Sequence, residues 1–124
     1  MILPNITEMD LVGIFDRGVA NKERITLRPK MQIDLGCYGI MLGVKTPNGL
    51  ATPIQNELFW FGDGTVQPPQ WLFIYTGEGK SFIGTTEVSN EPAIALFWNK
   101  PNVIFTNFSI VPILFRVSDV LLGE

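Results

Sequence analysis

Histidine is absent from the 124 residues, and cysteine occurs once. Without histidine there is no Ser-His-Asp triad, no Cys-His dyad and no histidine general base. A zinc site built from one cysteine and no histidine is implausible on the same count. Cys37 has no partner for an internal disulfide. It lies in an apolar run, residues 35–42 (Leu-Gly-Cys-Tyr-Gly-Ile-Met-Leu), and reads as a buried free thiol with nothing to activate it.

Charge is also sparse. Charged residues make up 17% of the chain, below the usual quarter of a soluble domain, and the net charge is −3. Six of the nine basic residues fall within positions 1–45, and no cluster offers the positive footprint that phosphates need, so no nucleic acid partner is expected. No stretch approaches the roughly 20 apolar residues of a membrane helix, so no membrane partner is expected. The opening residues, Met-Ile-Leu-Pro-Asn, lack a basic segment, a long apolar segment and a small-residue cleavage site. The default compartment is therefore the cytoplasm, and the sequons at Asn5 and Asn107 read as chance matches. The acidic residues are dispersed, with no Asp-x-Asp-x-Asp loop, so no metal and no cofactor is expected. Gly77-Glu-Gly-Lys-Ser81 has Ile74 where a phosphate loop needs its first glycine, and reads as a turn.

What the chain does have is apolar residues: 46% of the total, with a mean hydropathy of +0.23. One small domain has too little interior to hide all of that surface, which predicts self-association, most simply a dimer. The length fits a single domain over residues 1–124.

Strand signals dominate. Residues 23–28 (Glu-Arg-Ile-Thr-Leu-Arg) alternate with Ile25 and Leu27 inward, and residues 31–35 repeat the pattern. Residues 38–44 read as a strand buried on both faces, whose glycines imply a bulge or a close backbone approach. Thr46-Pro-Asn-Gly49 is a turn, residues 50–56 an irregular connection, and residues 58–61 a short aromatic strand. Residues 71–76 (Trp-Leu-Phe-Ile-Tyr-Thr) are apolar on both faces and predict a central strand. Residues 81–87 are expected to return beside it as a hairpin partner. Residues 93–98 predict a further buried strand, 103–105 a short edge piece, and 110–117 a strand whose Pro112 marks an edge or a bulge. Near the N-terminus, Thr7 as a cap, Glu8 and Asp10 in a first turn, and Leu11, Ile14 and Phe15 at helical spacing predict one α-helix ending at Gly18. The fold expected is mainly β: an antiparallel β-sandwich or barrel with one N-terminal α-helix.

The candidate site residues are aromatic. Phe59, Trp60 and Phe61 are consecutive, so a strand sends them to opposite faces; Trp71, Phe73 and Tyr75 share one face; Phe97 and Trp98 split again. Three readings are open: plain core, a subunit interface, or an aromatic-lined pocket for a small apolar or cationic molecule near Trp60, Trp71 and Trp98. Glu57 and Asp63 beside tryptophan favour a cation. The same two carboxylates carry the alternative of a small hydrolase or isomerase. No catalytic residue is assigned, and a structural assembly subunit is the third alternative.

Four stretches stand out together: residues 17–29 (Arg-Gly-Val-Ala-Asn-Lys-Glu-Arg-Ile-Thr-Leu-Arg-Pro), 59–64 (Phe-Trp-Phe-Gly-Asp-Gly), 71–79 (Trp-Leu-Phe-Ile-Tyr-Thr-Gly-Glu-Gly) and 111–117 (Val-Pro-Ile-Leu-Phe-Arg-Val). Across them the chain resembles a group of short uncharacterised bacterial proteins of the orphan or mobile-gene-cassette kind. The resemblance implies a bacterial, cytoplasmic accessory protein. The group has no established activity, so the resemblance implies no site residues.

Overall fold

A computed structural model describes residues 6–86 and 89–123 of the chain; Asn5 of the first sequon and Glu87, the last residue of the expected hairpin partner, lie outside them. The elements run β1 (Met9–Phe15), β2 (Arg24–Pro29), β3 (Ile33–Asp34), a 3-10 turn (Leu35–Cys37), β4 (Tyr38–Lys45), β5 (Ala51–Trp60), β6 (Thr65–Val66), β7 (Trp71–Tyr75), β8 (Phe82–Thr85), β9 (Pro92–Phe97) and β10 (Ile110–Arg116). They form a five-stranded sheet in the order β1-β2-β7-β9-β8, a three-stranded sheet β10-β4-β5, and a small β3-β6 pair.

Alternation explains why the two larger sheets meet. Ile25 and Leu27 on β2, Leu72 and Ile74 on β7, and Ile94 and Leu96 on β9 all point to one side of the five-stranded sheet. Tyr38, Ile40 and Leu42 on β4 answer them from the three-stranded sheet, and Phe105 fills the same core from the loop before β10. Each such aliphatic side chain contributes roughly 1.5–3 kcal/mol when fully buried.

Four sequence expectations need correction. First, residues 9–15 are strand β1, not a helix. β1 pairs antiparallel with β2, and its register slips between Leu11 and Gly13, leaving Val12 as an extra residue. Gly13 takes φ 152°, which only glycine adopts without strain. That bulge moves the apolar residues off a strict period of two and makes Leu11, Ile14 and Phe15 imitate helical spacing. Second, the sheets do not close into a barrel: β1 and β8 are free edges of one sheet, and β10 and β5 of the other. Third, the five-stranded sheet is mixed. β7 and β9 run parallel, with Trp71 opposite Ala93 and Tyr75 opposite Phe97, because β8 pairs with β9 and not with β7. Fourth, residues 51–56 belong to β5. The strand pairs with β4 at residues 51–53 and 58–60, and residues 54–57 bulge out between, with Asn56 at φ 65°.

Other expectations hold. β7 is central, β10 is an edge strand that carries Pro112, and residues 46–49 turn tightly, with the Gly49 N–H donating to the Thr46 carbonyl at 3.1 Å. The β4 glycines mark a close approach: a Cβ on Gly39 would stand 2.3 Å from the Phe115 ring. Two smaller expectations fail: residues 103–105 form no strand, and Cys37 is only half-buried, in the 3-10 turn. Among the described residues no helix is long and apolar enough to cross a membrane.

Candidate functional site

The side of the five-stranded sheet that faces away from the core is the most distinctive surface of the molecule. Alternation sends Trp71, Phe73 and Tyr75 of β7 there, because Leu72 and Ile74 are claimed by the core. The three rings stand in a row. Trp71 and Phe73 are stacked with centroids 6.2 Å apart, Phe73 and Tyr75 meet edge-on at 6.4 Å, and Tyr75 stacks on Phe97 of β9 at 5.0 Å. Phe82 of β8 closes the line at 6.2 Å from Phe97.

Small residues keep a channel open beside the row. Ala93 and Ala95 of β9 and Gly84 of β8 put little more than backbone on this face, so the aromatic residues wall a groove of about 650 Å³. That volume suits a small organic molecule. Phe15 and Asp16, at the end of β1, line the same groove.

β2 supplies the charge. Arg24 lies 5.4, 5.3 and 5.6 Å from the ring centroids of Phe15, Phe73 and Tyr75, and Arg28 lies 4.0 Å from that of Trp71. Each guanidinium is also ion-paired at 2.7 Å, Arg24 with Asp16 and Arg28 with Glu91. The Glu91 carboxyl is held below its ordinary value, first by the Ser89 hydroxyl and then by the Arg28 guanidinium. The two arginines therefore already occupy the ring faces where a ligand cation would bind.

Among the described residues, three buried side-chain polar atoms have no hydrogen-bond partner: Arg24 Nε, Thr26 Oγ1 and Trp71 Nε1. All three belong to this face. The Trp71 N–H is near enough to Glu91 to favour its charged form, yet makes no hydrogen bond of normal geometry with it. A buried polar group without a partner costs about 1–3 kcal/mol, so this face carries a stability cost.

The other sequence candidates lie elsewhere. Trp60, at the end of β5, is half-exposed and donates its indole N–H to the Gly36 carbonyl at 2.8 Å. Trp98 packs on Phe59, centroids 5.6 Å apart, beneath the Lys100 ammonium. The Glu57 carboxylate, in the β5 bulge, accepts a hydrogen bond from that same ammonium. Asp63 is exposed between Gly62 and Gly64, both at positive φ, as turn chemistry requires. The structure thus brings Trp71, Phe73 and Tyr75 together and keeps Trp60, Trp98, Glu57 and Asp63 apart from them. Arg24, Arg28, Thr26 and Phe82 were missed by sequence reasoning. The one signal available for three of them was the outward parity of residues 24, 26 and 28 on a readable strand.

Glu23 was missed as well. It is 1% exposed, and its carboxyl oxygens accept from the Gly18 N–H (2.8 Å), the Ile104 N–H (2.7 Å), the Phe105 N–H (3.1 Å) and the Thr76 hydroxyl (2.9 Å). With every acceptor position taken it is a latch between loops, holding the turn before β2 against the loop before β10. No protein-family model, no curated protein and no solved structure matches the chain.

Proposed function

We propose that the chain is a non-enzymatic binding module on a β-sandwich frame, and that the groove beside Trp71, Phe73 and Tyr75 takes a flat aromatic molecule, uncharged or anionic. The observation that carries this is the open groove of about 650 Å³ that the row of Trp71, Phe73 and Tyr75 walls, with Ala93, Ala95 and Gly84 as its floor and Arg24 beside it. A flat ring lies over the Ala93 and Ala95 floor against the edges of the aromatic row, and an acceptor at its edge meets the partly exposed Arg24 guanidinium. The sequence alone favoured an apolar or cationic ligand; the arginines standing over the rings favour an uncharged or anionic one. The hydrolase alternative draws no support, since Glu57 is committed to Lys100 and Asp63 serves a turn. In this reading the module works in the cytoplasm, as the resemblance to bacterial accessory proteins implies.

Tryptophan fluorescence titrated with naphthalenesulfonate, naphthol and N-methylquinolinium tests the proposal. Saturable quenching by the first two, weakened about tenfold by Phe73→Ala as a lost aromatic contact of about 1.4 kcal/mol implies, supports it. No saturable quenching by any of the three refutes the binding site. Tightest binding by N-methylquinolinium refutes the charge assignment.

A further inference from the structure

The three-stranded sheet also has two faces, and one has no cover among the described residues. Ile40, Leu114 and Phe59 are opposite one another and belong to the core side. Their neighbours along each strand point away: Met41 opposite Ile113 and Leu58, then Phe115 and Trp60 flanking Gly39, then Val111 opposite Gly43. Between Tyr38 and Val44 this outward face of β4 and its partners carries no charge. Leu58 is 55% and Trp60 50% exposed on it.

After β10 the chain leaves the sheet, and beyond Ser118 and Asp119 it carries three apolar residues in a row. Val120 is 77% exposed, Leu121 98% and Leu122 89%. These side chains therefore do not fold back on the face beside them.

We propose that these two surfaces cover each other between two copies of the chain, the segment around Val120, Leu121 and Leu122 of each copy lying on the Met41–Ile113–Leu58 face of its partner. The sizes argue for it. Three strands about 4.8 Å apart and seven residues long at about 3.3 Å each give a footprint of roughly 300 Å². Face against face alone would bury about 600 Å² in total, in the range of adventitious contacts. Three solvated aliphatic side chains add on the order of 100 Å² each, as their transfer energies imply. With both segments engaged the total doubles to about 1,200 Å², where specific dimers begin. An uncharged face offers nothing to select a charged partner, and a second copy presents both halves of the fit about a two-fold axis. The dimer lies across the core from the aromatic groove, so it stands or falls independently of the ligand reading.

Analytical ultracentrifugation of the full chain, the Leu121→Ser/Leu122→Ser variant and Leu58→Asp tests it, with circular dichroism confirming the fold of each. The serine changes fall in a solvated segment and leave folding intact. The expected result is a dimer for the parent chain and monomers for both variants. A monomeric parent overturns the second copy as occupant. A serine variant that remains dimeric overturns the role of the segment, and a regular assembly larger than two overturns the two-fold pairing.

Discussion

Replacing Glu23 by alanine removes one side chain and leaves four donors without an acceptor. Three are backbone N–H groups, of Gly18, Ile104 and Phe105, and one is the Thr76 hydroxyl. A buried donor left unpaired costs about 1–3 kcal/mol, and four of them set a range of about 4–12 kcal/mol. Water can enter from the hollow that Gly18 and Thr76 line, and the hydroxyl can rotate, so the working figure is about 4 kcal/mol. Domains of this size are held by about 5–15 kcal/mol in total, so the loss is a large share. Glu23→Gln keeps the shape and one acceptor but turns an NH2 group toward backbone N–H donors; about half the loss is expected. Urea unfolding followed by tryptophan fluorescence reads both. With a slope of about 2 kcal/mol per molar, alanine lowers the midpoint by about 2 M and glutamine by about 1 M. A local opening would instead show as fast hydrogen exchange at the Ile104 and Phe105 amides. An alanine midpoint within about 0.5 M of the parent, with both amides still protected, refutes the reasoning.

Further outcomes follow from the same kind of bookkeeping. Thr26→Val removes a buried hydroxyl that has no partner and keeps the shape, so it raises stability by about 1 kcal/mol; thermal unfolding that moves down contradicts this. Gly39→Ala puts a methyl 2.3 Å from the Phe115 ring and 2.7 Å from the Phe59 carbonyl, and costs about 2 kcal/mol or more in urea; an unchanged midpoint would show that β10 yields freely. The Glu8 carboxyl accepts from the Tyr38 hydroxyl at 2.7 Å and the Arg116 guanidinium at 2.6 Å, and the Tyr38 bond above all lowers its pKa from 4.5 to about 2. Its stabilising effect is present above pH 4.5 and fades as pH falls towards about 2, so Glu8→Gln flattens the acid limb of a melting-temperature profile. Burial and the same bond raise Tyr38 from 10.0 to about 12, so its contribution holds below pH 10 and is lost towards pH 12, and Tyr38→Phe flattens the alkaline limb.

The sequence was legible where one strand speaks for itself. Residues 24–28 and 71–75 alternate cleanly, and their buried halves, Ile25, Leu27, Leu72 and Ile74, are the core they predict. Legibility failed where a bulge breaks the period. Val12 and Gly13 turned a strand into an apparent helix, and residues 54–57 hid the continuity of β5. It failed again where strand order decides. The row of Trp71, Phe73 and Tyr75 could be read off one strand. The arginines over it come from β2, and the alanine floor comes from β9, reached by a parallel pairing that no local pattern encodes. Trp60 and Trp98 resembled Trp71 in composition but not in parity or sheet. Glu23 gave no signal at all, because its four donors are scattered from Gly18 to Phe105 and meet only once the loops are in place.

The three tryptophans report on three different surfaces, and their indole N–H resonances are separable by two-dimensional NMR. Titration with naphthalenesulfonate is therefore the most direct test of the aromatic groove. The account predicts a saturable shift of the Trp71 indole, accompanied by the Arg24 Nε–H, while Trp60 and Trp98 stay in place. A Trp71 signal that does not move, or a shift confined to Trp60, would contradict it.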